Sequence, residues 1–253
     1  MSGVRTVALV GATGGAGTTR TTVELATLLA RDGERVAVLD AAFETQGLAQ
    51  YVHGRIDPDV TRVVVGDATL SEATVSLGLD QPGVVGTVPA RAPFERLARA
   101  KAPAAARSFG ELIREAAEQF DRVLVDTPPL AANQAVAAVD AVERVVPVAP
   151  ASTRGADALQ QLRDRLADVG VDPGPALSVR GELSGAAAAV PPNTATAVSA
   201  APTCLEDDAF GAAVADAAET ALECSIDRQF EQQGLVAKVR DGAADGVSRF
   251  QKE

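Results

Sequence analysis

A three-layer α/β/α domain on a mainly parallel sheet is the α/β fold class that this sequence predicts. Three observations predict it. A short apolar run, Val4–Val10, ends in a glycine-rich loop and passes into a helical pattern. Similar runs recur at Arg35–Leu39, Val84–Val88, Arg122–Val125, Arg144–Val148 and Ala176–Val179, with helical patterns between them. Two of the runs end on a carboxylate, Asp40 and Asp126. Alternating strands and helices make parallel sheets with helices on both faces. Near-continuous apolar runs are the strands that such sheets bury on both sides.

The elements follow in order. After the loop come Thr18–Thr22 and a helical pattern through Leu29, whose apolar face is made by Val23, Leu25, Ala26, Leu28, Leu29 and Ala30. Later helices are predicted at Phe109–Gln119, Gly155–Val169 and Ala209–Glu223. Pro128-Pro129 stops the strand before it. Ser152 or Thr153 is placed to cap the following helix. The Ala-, Pro- and Thr-rich stretch Gly185–Ser199 reads as a loop holding one short strand at Ala187–Val190. No internal repeat is present. Residues 1–224 are expected to form one domain, and 225–253 a helical C-terminal tail.

Composition bounds the function. A chain of 253 residues suits one large domain or two small ones. With 47% apolar residues, wholesale disorder is excluded. Aromatics are 3%, with no Trp and 51 alanines, so Ala, Val and Leu must fill the core. The 34 acidic against 23 basic residues give a charge of −11, which argues against a protein that coats DNA. Only Lys101, Lys238 and Lys252 are lysines, leaving 20 arginines. This halophile-like composition suits a high-salt cytoplasm, and a GC-rich genome would also supply Ala and Arg, so both readings stay open. Cys204 and Cys224 form no CxxC pair and read as free thiols. No secretory signal opens the sequence and no apolar run approaches the ~18 residues of a membrane span. The expectation is a cytoplasmic protein, with peripheral attachment to membrane left open.

The chemistry lies in the loop Gly11-Ala12-Thr13-Gly14-Gly15-Ala16-Gly17-Thr18-Thr19. Glycines let backbone amides approach a phosphate, and the helix start behind them adds positive potential. A P-loop also carries a lysine for the β/γ-phosphates and then a hydroxyl for Mg²⁺. Here the spacing is that of a P-loop, Thr18 stands at the lysine position, and Thr19 is the magnesium-type hydroxyl. Asp40 and Asp126 end their strands on the side where ligands of parallel sheets bind. There they could hold a metal partly through water.

The chain resembles the ParA/MinD family of deviant-Walker P-loop ATPases, which position chromosomes, plasmids, division sites and other cargo. The loop pattern K-G-G-x-G-K-T-[ST] is matched by Thr13–Arg20. Val65–Ala73 is similar to the "G-x-x-x-L-x-E-A" segment. Asp126-Thr127-Pro128-Pro129 matches the D-x-P-P Walker B, and Val145–Pro150 the "V-x-x-P-V-x-P" strand. The resemblance covers residues 4–224 and implies a SIMIBI-type P-loop fold. It implies ATP or ADP and Mg²⁺ as cofactors, held by Thr13, Gly14, Gly15, Ala16, Gly17, Thr18 and Thr19. Thr19, Asp40 and Asp126 would face the metal, the two aspartates would be catalytic, and a homodimer or protein partner would complete the unit.

The departures from the family bear on activity. Thr13 replaces the signature lysine that reaches a dimer partner's phosphates, and Thr18 replaces the phosphate lysine. Asp40-Ala41-Ala42 stands for D-x-D, so the water-orienting carboxylate is Ala42. The base-reading N-R pair is Val179-Arg180, without the Asn. A phosphate lysine neutralises charge that builds in the transition state, and Thr18 can offer only a hydrogen bond. Arg20 is about 200° around the helix from Thr18 and compensates little. A lysine-poor chain with 20 arginines had a cation available for the loop and carries threonine at both positions. Three readings follow: a positioning or regulatory protein with weak or no hydrolysis (a pseudo-ATPase), a working ATPase with an unusual loop, and a nucleotide-free scaffold.

Other residues carry weaker signals. His53 has no metal-ligating neighbour and reads as a loop residue. Arg163 and Arg165 could touch DNA, but Asp157, Asp164 and Asp168 lie among them and make a solvated mixed face the simpler reading. In the tail, Leu235, Val239, Ala243, Val247 and Phe250 share a helical face that resembles a MinD membrane-targeting segment. Gly242, Gly246, Asp241 and Asp245 weaken it, so a helix packed on protein stands beside membrane contact.

Overall fold

The computed structural model describes residues 3–206 and 208–227; the tail face expected around Leu235–Phe250 lies outside them. An eight-stranded sheet forms the middle layer. In chain order its strands are β1 (Thr6–Gly11), β2 (Arg35–Asp40), β3 (Val75–Ser76), β4 (Val84–Val88), β5 (Arg122–Thr127), β6 (Arg144–Pro150), β7 (Leu177–Val179) and β8 (Ala188–Val190). Their spatial order is β3-β4-β2-β5-β1-β6-β7-β8. Every pairing is parallel except the antiparallel edge pair β3–β4. All six residues of β1 and of β5 are buried, as strands covered on both faces must be.

Helices α1 (Thr18–Arg31) and α8 (Asp208–Leu222) cover one face. Leu25, Leu28 and Leu29 of α1 and Val214, Ala218 and Leu222 of α8 pack there on the side chains of Val7, Leu9, Val36 and Val38. The other face carries α2 (Val60–Val64), α3 (Leu70–Ala73), α4 (Phe94–Ala100), α5 (Pro103–Gln119), α6 (Asn133–Ala141) and α7 (Thr153–Asp168). Ala8, Val10, Val123 and Val125 point into that second core, with Phe109, Leu112, Ile113 and Leu166 packed over them. Strand residues thus alternate between two separate apolar layers, and small side chains let the helices sit close.

Boundaries differ from the sequence expectation where alanine hides the period. Helix α5 begins at Pro103, six residues before Phe109, because proline at the first helical position is pre-set for helix. Helix α6 was not anticipated: in Asn133–Ala141 the small alanines leave little contrast between faces, yet Ala135, Ala138 and Val139 are buried against α5. Ser152 caps α7 by accepting from the Gly155 amide at 3.0 Å. The "L-x-E-A" segment forms α3, closed by a capping box between Thr69 and Glu72. A side chain at Gly155 would stand 1.9 Å from the Pro150 carbonyl, so glycine is required where α7 leaves β6.

Candidate functional site

The glycine loop joins β1 to α1 at the carboxyl end of the sheet. Ala12 N–H donates to the Val148 carbonyl at 2.8 Å and Ala16 N–H to the Thr13 carbonyl at 3.2 Å, which fixes the loop between β1 and β6. Gly17 starts α1 in the left-handed region, with φ of 91°, where glycine adopts the geometry without strain. Side chains built on Gly14 or Gly15 would meet nothing within 4 Å. The loop is therefore open toward the space in front of it.

That space is a cleft of about 510 Å³. Thr13, Gly14, Gly15, Ala16, Gly17, Thr18 and Thr19 line one side of it. Asp126, Thr127, Pro128 and Pro129 form the floor. Ala42, Thr45, Gly47 and Tyr51 stand on a second side, and Val179, Arg180, Val190, Pro191, Pro192 and Asn193 on a third.

Thr18 is buried and packs its hydroxyl over Gly11, where a Cβ would approach it at 2.7 Å. Thr19 Oγ1 donates to Asp126 Oδ2 at 2.6 Å. Gly47 approaches the same hydroxyl closely, since a Cβ there would stand 3.2 Å from it. The predicted metal-facing hydroxyl and Walker B carboxylate are thus brought together.

Asp40 behaves differently. It sits in register with Asp126 on the neighbouring strand. Its Oδ1 accepts from Ala42 N–H at 2.8 Å and its Oδ2 from Ala90 N–H at 3.1 Å. It is fully buried and does not line the cleft. Burial, and then the Asp126 carboxylate, raises the Asp40 pKa well above the ordinary carboxylate range. Burial raises Asp126 as well, against the opposing hydrogen bond from Thr19. Of the two, only Asp126 presents its carboxylate to the cleft.

The residues fit a nucleotide bound with magnesium. The open glycine cradle at a helix start suits phosphate, the Thr19–Asp126 pair suits a hard cation and its water, and the cleft has the volume of a small-molecule site.

Arg20 turns away from the loop. Its Nε donates to Glu24 Oε1 at 2.5 Å and its Nη2 to Thr203 Oγ1 at 3.0 Å. Buried Glu24 also accepts from the amides of Thr203 and Cys204, each at 2.9 Å. Asn193 joins this brace through Thr203 Oγ1 at 2.6 Å. Sequence reasoning missed Tyr51, Asn193 and the Glu24 brace. Only Pro191-Pro192-Asn193 carried a local hint, a stiff turn facing the loop. His53 is an exposed loop residue. Arg163 Nη2 donates to the Gly185 carbonyl at 3.0 Å. Burial pushes the Cys204 thiol pKa up, and both cysteines are free. Among the described residues no cluster of His, Cys, Asp and Glu could hold a metal by itself. No described helix is long and apolar enough to cross a membrane.

Comparisons with known proteins agree with this geometry. Residues 4–173 match the AAA-domain family. A tyrosine-protein kinase, ptk, of Acinetobacter johnsonii is 30% identical over 114 residues; the match spans 43% of this chain and 14% of that much longer protein. The cell division ATPase MinD of Pyrococcus furiosus superimposes with a TM-score of 0.73 at 20% identity, over 85% of this chain and 97% of that one. MinD of Pyrococcus horikoshii OT3, complexed with Mg-ADP, gives 0.64 at 20% identity, over 75% and 82%. A ParA family ATPase of Chlorobium tepidum TLS gives 0.71 at 15% identity, over 85% and 98%. At these identities the structural likeness is one of fold.

Proposed function

This chain belongs to the AAA-domain family and has the ParA/MinD P-loop ATPase fold, and from that premise we propose that it is a positioning or regulatory protein with a degenerate nucleotide site. It binds Mg-nucleotide weakly, hydrolyses ATP slowly or not at all, and acts by engaging a partner or a second copy of itself. The single observation that carries this reading is the absence of charge at three places around an otherwise intact cleft. Thr13 and Thr18 stand at the lysine positions and Ala42 at the second carboxylate position.

The division of labour follows from the contacts. Amides of the loop and of the first turn of α1 would cradle phosphate oxygens, while Thr19 and Asp126 would hold magnesium, partly through water. Magnesium, when bound, neutralises phosphate charge. Asp40 sits behind, its oxygens taken by two backbone amides, and keeps the turn after β2 in place. Ala42 lines the cleft with no carboxylate to orient an attacking water, and Glu44 of the same turn is held by Lys101 and Gln134. Pro128 and Pro129 stiffen the floor. The MinD bound to Mg-ADP supports nucleotide binding by this fold. Residues 1–224 would form the nucleotide domain, onto which Ile226 also packs, and the 225–253 tail would join it to a partner or a surface.

Reversion tests the proposal. Thr13→Lys, Thr18→Lys and Ala42→Asp, combined, should raise Mg-dependent ATP turnover well above that of the natural chain. Equal turnover before and after reversion would contradict it.

A further inference from the structure

The cleft is lined by two cations, Arg20 and Arg180. Arg20 is committed to Glu24 and to the Thr203 hydroxyl on the far side of α1. Arg180 is exposed, and among the described residues no carboxylate pairs with it within 4.0 Å. Its guanidinium reaches across to the loop, where Nη2 lies 3.4 Å from the Gly15 carbonyl oxygen. One long hydrogen bond leaves most of the five guanidinium donors free.

The backbone holds it there. Arg180 adopts φ of +63°, a left-handed conformation uncommon for a residue with a side chain. Gly181 follows at φ of +131°. The turn is pinned on each side: Ser178 Oγ donates to the Gly181 carbonyl at 2.8 Å, and Ala151 N–H donates to the Val179 carbonyl at 2.9 Å. Val179 meanwhile packs near Gly17, whose Cβ position lies 3.6 Å from Val179 Cγ2. The end of β7 is thus docked on the loop, and its arginine projects over Gly15.

Resting on the nucleotide-binding reading above, we propose that Arg180 supplies the positive charge of the phosphate cradle in place of the two missing lysines. A planar guanidinium can bind phosphoryl oxygens through two parallel N–H bonds, which suits a di- or triphosphate tail lying across Gly14 and Gly15. Recognition then depends on the phosphate tail more than on the base, and the cation arrives from β7 instead of from α1.

Isothermal titration of the full chain with MgATP, MgADP and AMP tests this, with thermal melting to verify folding. Arg180→Ala should weaken MgATP and MgADP binding about tenfold or more, the loss expected for a charge-assisted contact, and leave AMP nearly unchanged. Arg180→Lys should recover part of the affinity. Adding Thr18→Lys to Arg180→Ala should restore binding, because the charge returns from the helix side. Arg107→Ala, on the outer surface of α5, should bind as the natural chain does. If Arg180→Ala binds MgATP within about twofold of the natural chain, or loses AMP equally, the inference is overturned and the nucleotide reading stands. If the natural chain itself binds no MgATP, the nucleotide reading falls and this inference with it.

Discussion

Asp40 and Asp126 face each other in register at the ends of β2 and β5, yet only Asp126 looks into the cleft. Asp126 accepts a 2.6 Å hydrogen bond from Thr19 and lines the floor. Asp40 spends both oxygens on the amides of Ala42 and Ala90. One carboxylate is therefore available to a bound cation, and the other fixes the turn beside it.

Thr19→Val keeps the shape of the side chain and removes its donor. It should destabilise the free protein by about 1–3 kcal/mol, because the buried Asp126 carboxylate loses its hydroxyl partner. It should also abolish the magnesium dependence of nucleotide affinity. Chemical denaturation and titration with and without magnesium would check the two effects. Unchanged magnesium dependence would remove Thr19 from the metal position.

Two glycines in the loop separate fold from function. Gly14→Ala meets nothing in the free protein, so stability should change by less than about 0.5 kcal/mol. The added methyl enters the phosphate space, and nucleotide affinity should fall. Gly17→Ala puts a side chain at φ of 91° and should cost about 1–3 kcal/mol of stability. Melting curves and nucleotide titrations of both variants would show the contrast; equal stability of the two would contradict the loop geometry.

Glu44 ties the cleft-side turn to the second core through Lys101 at 2.8 Å and Gln134. Burial alone would raise its pKa, but the Lys101 hydrogen bond, a backbone amide, the Lys101 charge and Gln134 together outweigh burial and lower it below the usual 4.5. A lowered acid pKa gives stability that is present above the unfolded value and lost as pH falls through the folded one. Glu44→Gln should cost less than about 1 kcal/mol at pH 7, since the pair is partly solvated. The difference from the natural chain should shrink steadily in urea melts as pH falls below 4.5. A difference that persists or grows in acid would show that charge is not the cause.

Much of this was legible in the sequence, for local reasons. The apolar runs locate the central strands because a strand buried on both faces must be apolar throughout. Thr13–Thr19 and Asp126 are legible because loop, hydroxyl and strand-end carboxylate are each set by short-range spacing. Helix α6 escaped because alanine fills both its faces. The tertiary partners of the cleft escaped for another reason. Tyr51 and Asn193 reach the cleft across more than 30 residues of intervening chain, Thr203 reaches Glu24 across more than 170, and nothing local marks them. Arg180 was visible as half of a dipeptide, but its reach over Gly15 depends on a left-handed turn that no residue type announces.

The central claim is that an intact cleft has lost its hydrolytic charges. Steady-state ATP turnover by the purified full chain, with and without magnesium, tests it most directly. Weak or absent hydrolysis predicts magnesium-dependent turnover at, or only slightly above, the background given by Asp126→Ala. Turnover at the rate of lysine-bearing relatives, abolished by Asp126→Ala, would contradict it.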